Sequence, residues 1–119
     1  MILADTSVWI DHLRRGDSRL AALLKGERLL MHPFVLGELA CGDLRNRDEL
    51  LELLGRMPLA ASVSDAEAMR FIDRHQLMGR GVGIVNVHLL ASTKLTCDAR
   101  LWTRDQRLAR LAEGLGLAD

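Results

Sequence analysis

The run Met1-Ile2-Leu3-Ala4 is apolar without interruption and stops at Asp5, and this junction constrains the fold more than any other stretch of the chain. Continuous hydrophobicity over so few residues suits a strand buried on both faces, as in a parallel sheet. Thr6 or Ser7 is a suitable N-cap for a helix carrying Val8, Trp9, Ile10 and Leu13. Asp5 is therefore expected at the carboxyl end of a central strand, where open α/β sheets collect ligands. Taken alone, helix capping accounts for Asp5 equally well.

The rest of the chain repeats the alternation. Gly16-Asp17-Ser18 reads as a turn and cap, and Leu20, Leu23 and Leu24 give a short helix ending near Gly26. Arg28 to Met31 is a second strand, and Pro33 suits the first turn of a helix striped by Val35, Leu36, Leu39 and Ala40. Glu38 lies beside that stripe, where it can point back over the strand end. Asp48 to Leu54 is a leucine-rich helix, Leu59 to Val63 a short apolar strand, and Ser64 with Glu67 has the spacing of a capping box. Gly79-Arg80-Gly81-Val82-Gly83 follows a helix rather than a strand and lacks the spacing of a phosphate loop, so it is read as a turn. A helix from Ile84 to Leu95 carries Asn86 in its first turn. Arg100 to Thr103 is a further strand with Arg104-Asp105 at its carboxyl end, and Leu115 to Ala118 is a candidate edge strand after the last helix closes at Gly114. Strands alternating with helices predict an α/β/α sandwich with a mainly parallel sheet of four or five strands, as a single domain over residues 1–119.

Composition narrows the function classes. Sixteen basic and sixteen acidic residues balance, so net charge does not announce a nucleic-acid binder. All the basic residues except Lys25 and Lys94 are arginine, the better bidentate partner for phosphate. A hydrophobic content of 49% supports a core without disulfides, and Cys41 and Cys97 share no metal-ligand spacing. A reduced, cytoplasmic setting is expected, and no apolar run approaches the roughly 18 residues that span a bilayer. The four histidines are scattered and fit capping or helix-face roles, while Trp9 and Trp102 sit in apolar runs and are expected in the core.

Two strand ends thus carry acids, Asp5 and Asp105, with hydroxyls close by: Thr6 and Ser7 beside the first, Thr103 before the second. If those strands are neighbours, both carboxylates face one crevice that Glu38 can reach. Like charges so close require a proton or a cation between them. Oxygen ligands without clustered histidine or cysteine favour Mg²⁺ or Mn²⁺ over zinc, and a cation of that kind orients a phosphodiester for in-line attack by water. Arg104 is the arginine nearest these acids and a candidate contact for a substrate phosphate; an exposed arginine at a helix start is the alternative.

On these residues the chain resembles the PIN-domain ribonucleases and, within them, the toxins of VapBC toxin–antitoxin systems. The carriers are Asp5-Thr6-Ser7 followed by Val8-Trp9-Ile10, Glu38 in Gly37-Glu38-Leu39, the run Val87-His88-Leu89-Leu90-Ala91-Ser92, and Leu101-Trp102-Thr103-Arg104-Asp105. The resemblance implies a metal-dependent endoribonuclease that acts as a toxin, a homodimer, and a cognate antitoxin whose tail blocks the site. It also implies an aspartate just before the Val-His-Leu-Leu run, where this chain has Asn86. Asparagine keeps the shape and loses the charge, so weaker cation binding and impaired cleavage are expected.

Two rival classes fit less well. A phosphoacceptor domain needs an aspartate at the end of its third strand, where this chain has Ser62-Val63-Ser64, and an aspartyl-phosphate phosphatase needs a second aspartate at the position of Ser7. A PIN-like binding module that has lost its chemistry is the non-enzymatic alternative, and Asn86 is its support.

Overall fold

The computed structural model describes residues 1–119 and consists of three parallel strands wrapped by seven helices. Strand β1 (Ile2–Ala4) is central, flanked by β2 (Leu29–Leu30) and β3 (Arg100–Trp102). Ile2 pairs with Leu29 on one side and Arg100 on the other, and Ala4 pairs with Trp102. The chain therefore leaves β1 for opposite edges, and β1 is the point where strand order switches. In open α/β sheets ligands bind outside the carboxyl ends of the strands at such a point, and here those ends are Asp5 after β1 and the Thr103-Arg104-Asp105 turn after β3.

The helices follow as α1 (Thr6–Arg15), α2 (Ser18–Lys25), α3 (Pro33–Ala40), α4 (Arg47–Gly55), α5 (Asp65–His75), α6 (Ile84–Leu95) and α7 (Gln106–Gly114). Helix α6 is buried without a break from Val87 to Thr93, which explains its run of small and apolar residues. Its polar members are satisfied internally: Thr93 donates to the Leu89 carbonyl at 2.7 Å, and Ser92 lies 3.1 Å from His32 Nε2. Around α6 and the strands a single core gathers Leu3, Val8, Trp9, Leu20, Met31, Val35 and Leu108. No helix is long and apolar enough to cross a membrane.

The sheet is smaller than the sequence suggests, with three strands rather than four or five. Leu59 to Val63 forms only one parallel bridge, between Met31 and Leu59. Pro58 has no amide to give, and beyond Ala60 the ladder is diverted: the Ala61 amide donates to the Thr96 hydroxyl at 2.8 Å instead of to a strand. At the other edge, Leu115 to Ala118 contributes a single bridge, between Leu101 and Ala118. Gly116, at φ +72, turns the backbone there, so extended pairing begins only at Leu117. Leu115 to Ala118 still lies at an edge of the sheet, as expected.

Caps also differ in one respect. Asp5, rather than Thr6 or Ser7, is the N-cap of α1, accepting from the Val8 amide at 3.2 Å. The Ser64–Glu67 capping box of α5 forms as the spacing predicts. His32 caps α3 with a ring nitrogen, Nδ1 accepting from the Phe34 amide at 3.0 Å.

Candidate active site

Asp5 is 5% exposed, and three donors hold its carboxylate. Ser7 Oγ donates to Oδ1 at 2.5 Å, the Val8 amide donates to the same oxygen, and the Thr103 hydroxyl donates to Oδ2 from across the β1–β3 seam. A carboxylate offers about four accepting positions, so Oδ2 retains one. The same hydroxyls extend the network. Ser7 Oγ accepts from the Arg104 amide at 3.0 Å, and Thr103 Oγ1 accepts from the Asp105 amide at 3.0 Å. Thr6, next to Asp5, donates to Glu38 Oε1 at 2.6 Å and so ties α3 to the start of α1.

Asp105 is exposed and caps α7, its Oδ1 accepting from the Arg107 and Leu108 amides at 2.9 and 3.2 Å. Its Oδ2 and Glu38 Oε2 have no protein partner. Asp105 is joined to Asp5 through its own amide and the Thr103 hydroxyl, and Glu38 is held by Thr6, the residue after Asp5, so the three carboxylates are not gathered at one point. Asn86 lies partly buried in the first turn of α6, and its side chain makes no hydrogen bond to the three acids. The loop before α6 reaches α7: a Cβ on Gly81, at φ +75, would stand 2.8 Å from an Arg107 guanidinium nitrogen, so glycine serves both the turn and the approach.

Burial sets Asp5 apart, because it is the only buried acid of the protein. Asp11, Asp17, Glu52, Asp65 and Asp119 are the acids with basic partners. Asp5, Glu38 and Asp105 have none. Burying an ionised carboxylate without a counter-charge is costly, and hydroxyl and amide donors offset only part of that cost. The donor set therefore fits a hard divalent cation in chemistry and in charge. As arranged, no three histidine, cysteine, aspartate or glutamate side chains stand together as a finished cation cage.

Arg104 does not face open solvent as a free cation. Its Nε lies 3.0 Å from Asp11 Oδ2 and its Nη2 2.6 Å from Asp17 Oδ2. The backbone amide of Leu20, with help from Arg104, holds the Asp17 carboxyl below the usual aspartate range. Trp102 is only half-buried, with the Arg19 guanidinium 4.4 Å and that of Arg104 5.9 Å from its ring centre. Trp9, at 1% exposure, is the core residue of the two. Asp11 and Asp17 were not legible as site neighbours, because only the folded chain brings them to residue 104. Cys41 and Cys97 are free and exposed.

The parallel sheet flanked by helices agrees with the family to which the chain is similar. Residues 2–114 match the PIN domain, and the chain belongs to that family. It is 48% identical over 121 residues to Ribonuclease VapC32 of Mycobacterium tuberculosis (strain CDC 1551 / Oshkosh), a match spanning all of this chain and 98% of that protein. Ribonuclease VapC32 of strain ATCC 25618 / H37Rv matches to the same extent.

Proposed function

We propose that this chain is an endoribonuclease toxin of the VapC kind, dependent on Mg²⁺ or Mn²⁺ and impaired by Asn86. The observation that carries the reading is Asp5, a buried carboxylate without a basic partner at the end of the central strand, with Glu38 and Asp105 tied to its neighbours Thr6 and Thr103. Family membership and the full-length likeness to a ribonuclease supply the reaction class.

Asp5, Glu38 and Asp105 would hold the cation, with Asn86 as a neutral neighbour. When bound, such a cation supplies charge neutralisation at the phosphodiester and a more acidic water. The chain's own groups do the positioning. Ser7 and Thr103 fix the rotamer of Asp5, Thr6 fixes Glu38, and the α7 amides fix Asp105, so the acids keep their orientation without reorganising as charge develops. The Asn86 amide can orient a water by hydrogen bonding but cannot take its proton.

The same acids suit an antitoxin tail bearing arginine, since bidentate guanidinium–carboxylate pairs satisfy them directly. Glu38 also lines a groove of about 430 Å³ with Ile10, Leu13, Leu39 and Leu50 on its apolar part and Arg14, Asp43 and Arg45 on its charged part, which gives such a tail a mixed seat beside Glu38. We place this activity in the cytoplasm, where RNA and antitoxin are both met.

Cleavage of a structured RNA with added Mg²⁺ or Mn²⁺, against a chelator control and an Asp5→Asn variant, tests the reading. Metal-dependent cleavage lost in the variant supports it. Cation binding by calorimetry without any cleavage would favour the alternative that Asn86 suggests, a PIN-like module that binds and no longer cuts. Neither binding nor cleavage would sink both.

A further inference from the structure

Arg104 engages two carboxylates with its side chain and the acid network with its backbone. Its guanidinium spans Asp11 on α1 and Asp17 at the cap of α2, while its amide donates to Ser7 Oγ, the hydroxyl that donates to Asp5. The residues on either side complete the link: the Thr103 hydroxyl donates to Asp5, and the Asp105 amide donates to Thr103. Three consecutive residues therefore carry every contact between the β3–α7 turn and Asp5, and one side chain ties that turn to two helices.

We propose that Arg104 is a positioning residue: the Asp11–Arg104–Asp17 clamp fixes the β3–α7 turn so that Thr103 and the residue 104 amide stay on Asp5 and Ser7. What the clamp positions rests on the ribonuclease reading; the clamp itself does not. Occupancy argues against a direct role on RNA, because Asp11, itself also paired with Arg15, and Asp17 already take the donors of the Arg104 guanidinium in a neutral group of two arginines and two aspartates. Geometry argues for the clamp, because only the planar fork of arginine presents donors to two acids from one fixed plane. A turn so short passes any displacement straight to the acid it holds, and misplacement by about 1 Å can cost on the order of a hundredfold in rate.

The test uses the Asp11→Asn/Asp17→Asn double variant, which releases the guanidinium without altering Arg104. Asparagine is as good an N-cap as aspartate, so α2 keeps its start. In the first arm, amide hydrogen exchange at residues 104 and 105 is expected to quicken about tenfold while the Leu101 amide in the sheet is unchanged. Unchanged exchange at both turn amides overturns the proposal. In the second arm, RNA cleavage by the double variant is expected to lose about ten- to a hundredfold in kcat with KM unchanged. A released arginine that served phosphate would do the opposite, lowering KM, and that result also overturns the proposal. Arg104→Lys should retain part of the kcat, since a lysine can hold one of the two acids. If neither the parent chain nor any variant cleaves RNA, the ribonuclease reading fails and the exchange arm alone decides the clamp.

Discussion

The Thr103 hydroxyl donates to Asp5 Oδ2 across 98 residues of sequence, and Thr103 is the only residue of the β3–α7 turn whose side chain bonds Asp5 directly. Because Ala4 pairs with Trp102, the residues that follow them leave the sheet side by side. The parallel register of β1 and β3 thus determines that Thr103, and not a neighbour of opposite facing, meets Asp5.

Thr103→Val should expose what that bond contributes. Valine keeps the volume and removes the donor, leaving an oxygen of a nearly buried carboxylate short of a partner, at a cost of about 1–3 kcal/mol. Denaturant unfolding should show a lower midpoint with an unchanged slope. RNA cleavage should fall further than stability alone accounts for, since Asp5 would lose one of the donors that hold its rotamer. A variant with parent stability and parent rate would show that Asp5 is positioned by Ser7 and the Val8 amide alone.

Stability should fall on mild acidification because of His32. Its imidazole is pushed down to about 4 by burial and then by the nearby His88. The unfolded chain takes up that proton near pH 6.5 and the native chain does not, so the stabilisation is complete above pH 6.5 and is lost as pH falls from there towards 4. Between pH 7 and pH 5 the loss is about 2 kcal/mol from this group. His75, lowered by burial and by Lys94 and Arg74, adds in the same direction. Urea midpoints at the two pH values measure the effect, and His32→Asn, which preserves an acceptor for the Phe34 amide, should flatten it. Equal pH dependence in parent and variant would assign the effect elsewhere.

Assembly as a homodimer is the third expectation. Leu53 on α4 and Met69 on α5 are 56% and 58% exposed, on helices whose apolar content exceeds what the three-stranded sheet and its core cover. Exposed apolar side chains favour burial against a second copy. Sedimentation at micromolar concentration should give twice the chain mass, and Leu53→Glu with Met69→Glu should shift it towards the monomer. A monomeric parent would count against the idea.

The sequence carried the central architecture because its signals are local. Met1 to Ala4 could be read as a buried strand from continuity alone, and Leu101-Trp102-Thr103 repeats the same strand-then-acid order. Capping at Ser64 and the helix bearing Asn86 were equally local. What escaped depends on competition between distant groups. The Ala61 amide had a strand partner in the sequence reading and the Thr96 hydroxyl in the fold, which reduced an expected strand to one bridge. Arg104 was read as a phosphate candidate or a solvated arginine, and neither anticipates Asp11 and Asp17, which lie 93 and 87 positions away and meet it only because α1 and α2 fold back beside β3. Helix capping and a place at the ligand-collecting strand end are alternatives for Asp5 in the sequence, whereas in the fold the capping oxygen Oδ1 accepts from both the Val8 amide and Ser7.

Restoring the missing charge is the sharpest test of Asn86. Asn86→Asp adds a carboxylate in the first turn of α6, close to the positive end of the helix, where an acid is favoured by the dipole. Among acids that have no basic partners, the added charge would repel its neighbours until a cation binds, so affinity for Mn²⁺ should rise and the variant should depend on it more. A non-catalytic readout follows: added Mn²⁺ should raise the melting temperature of Asn86→Asp more than that of the parent, since a ligand that binds only the native state stabilises it according to its affinity. Cleavage should rise by about 10²–10⁴-fold if the new carboxylate also accepts the proton of the attacking water, and Asp5→Asn in the same background should abolish it. Equal cleavage and equal Mn²⁺ stabilisation in the parent and in Asn86→Asp would place residue 86 outside the site, and the three remaining acids would then have to account for any activity on their own.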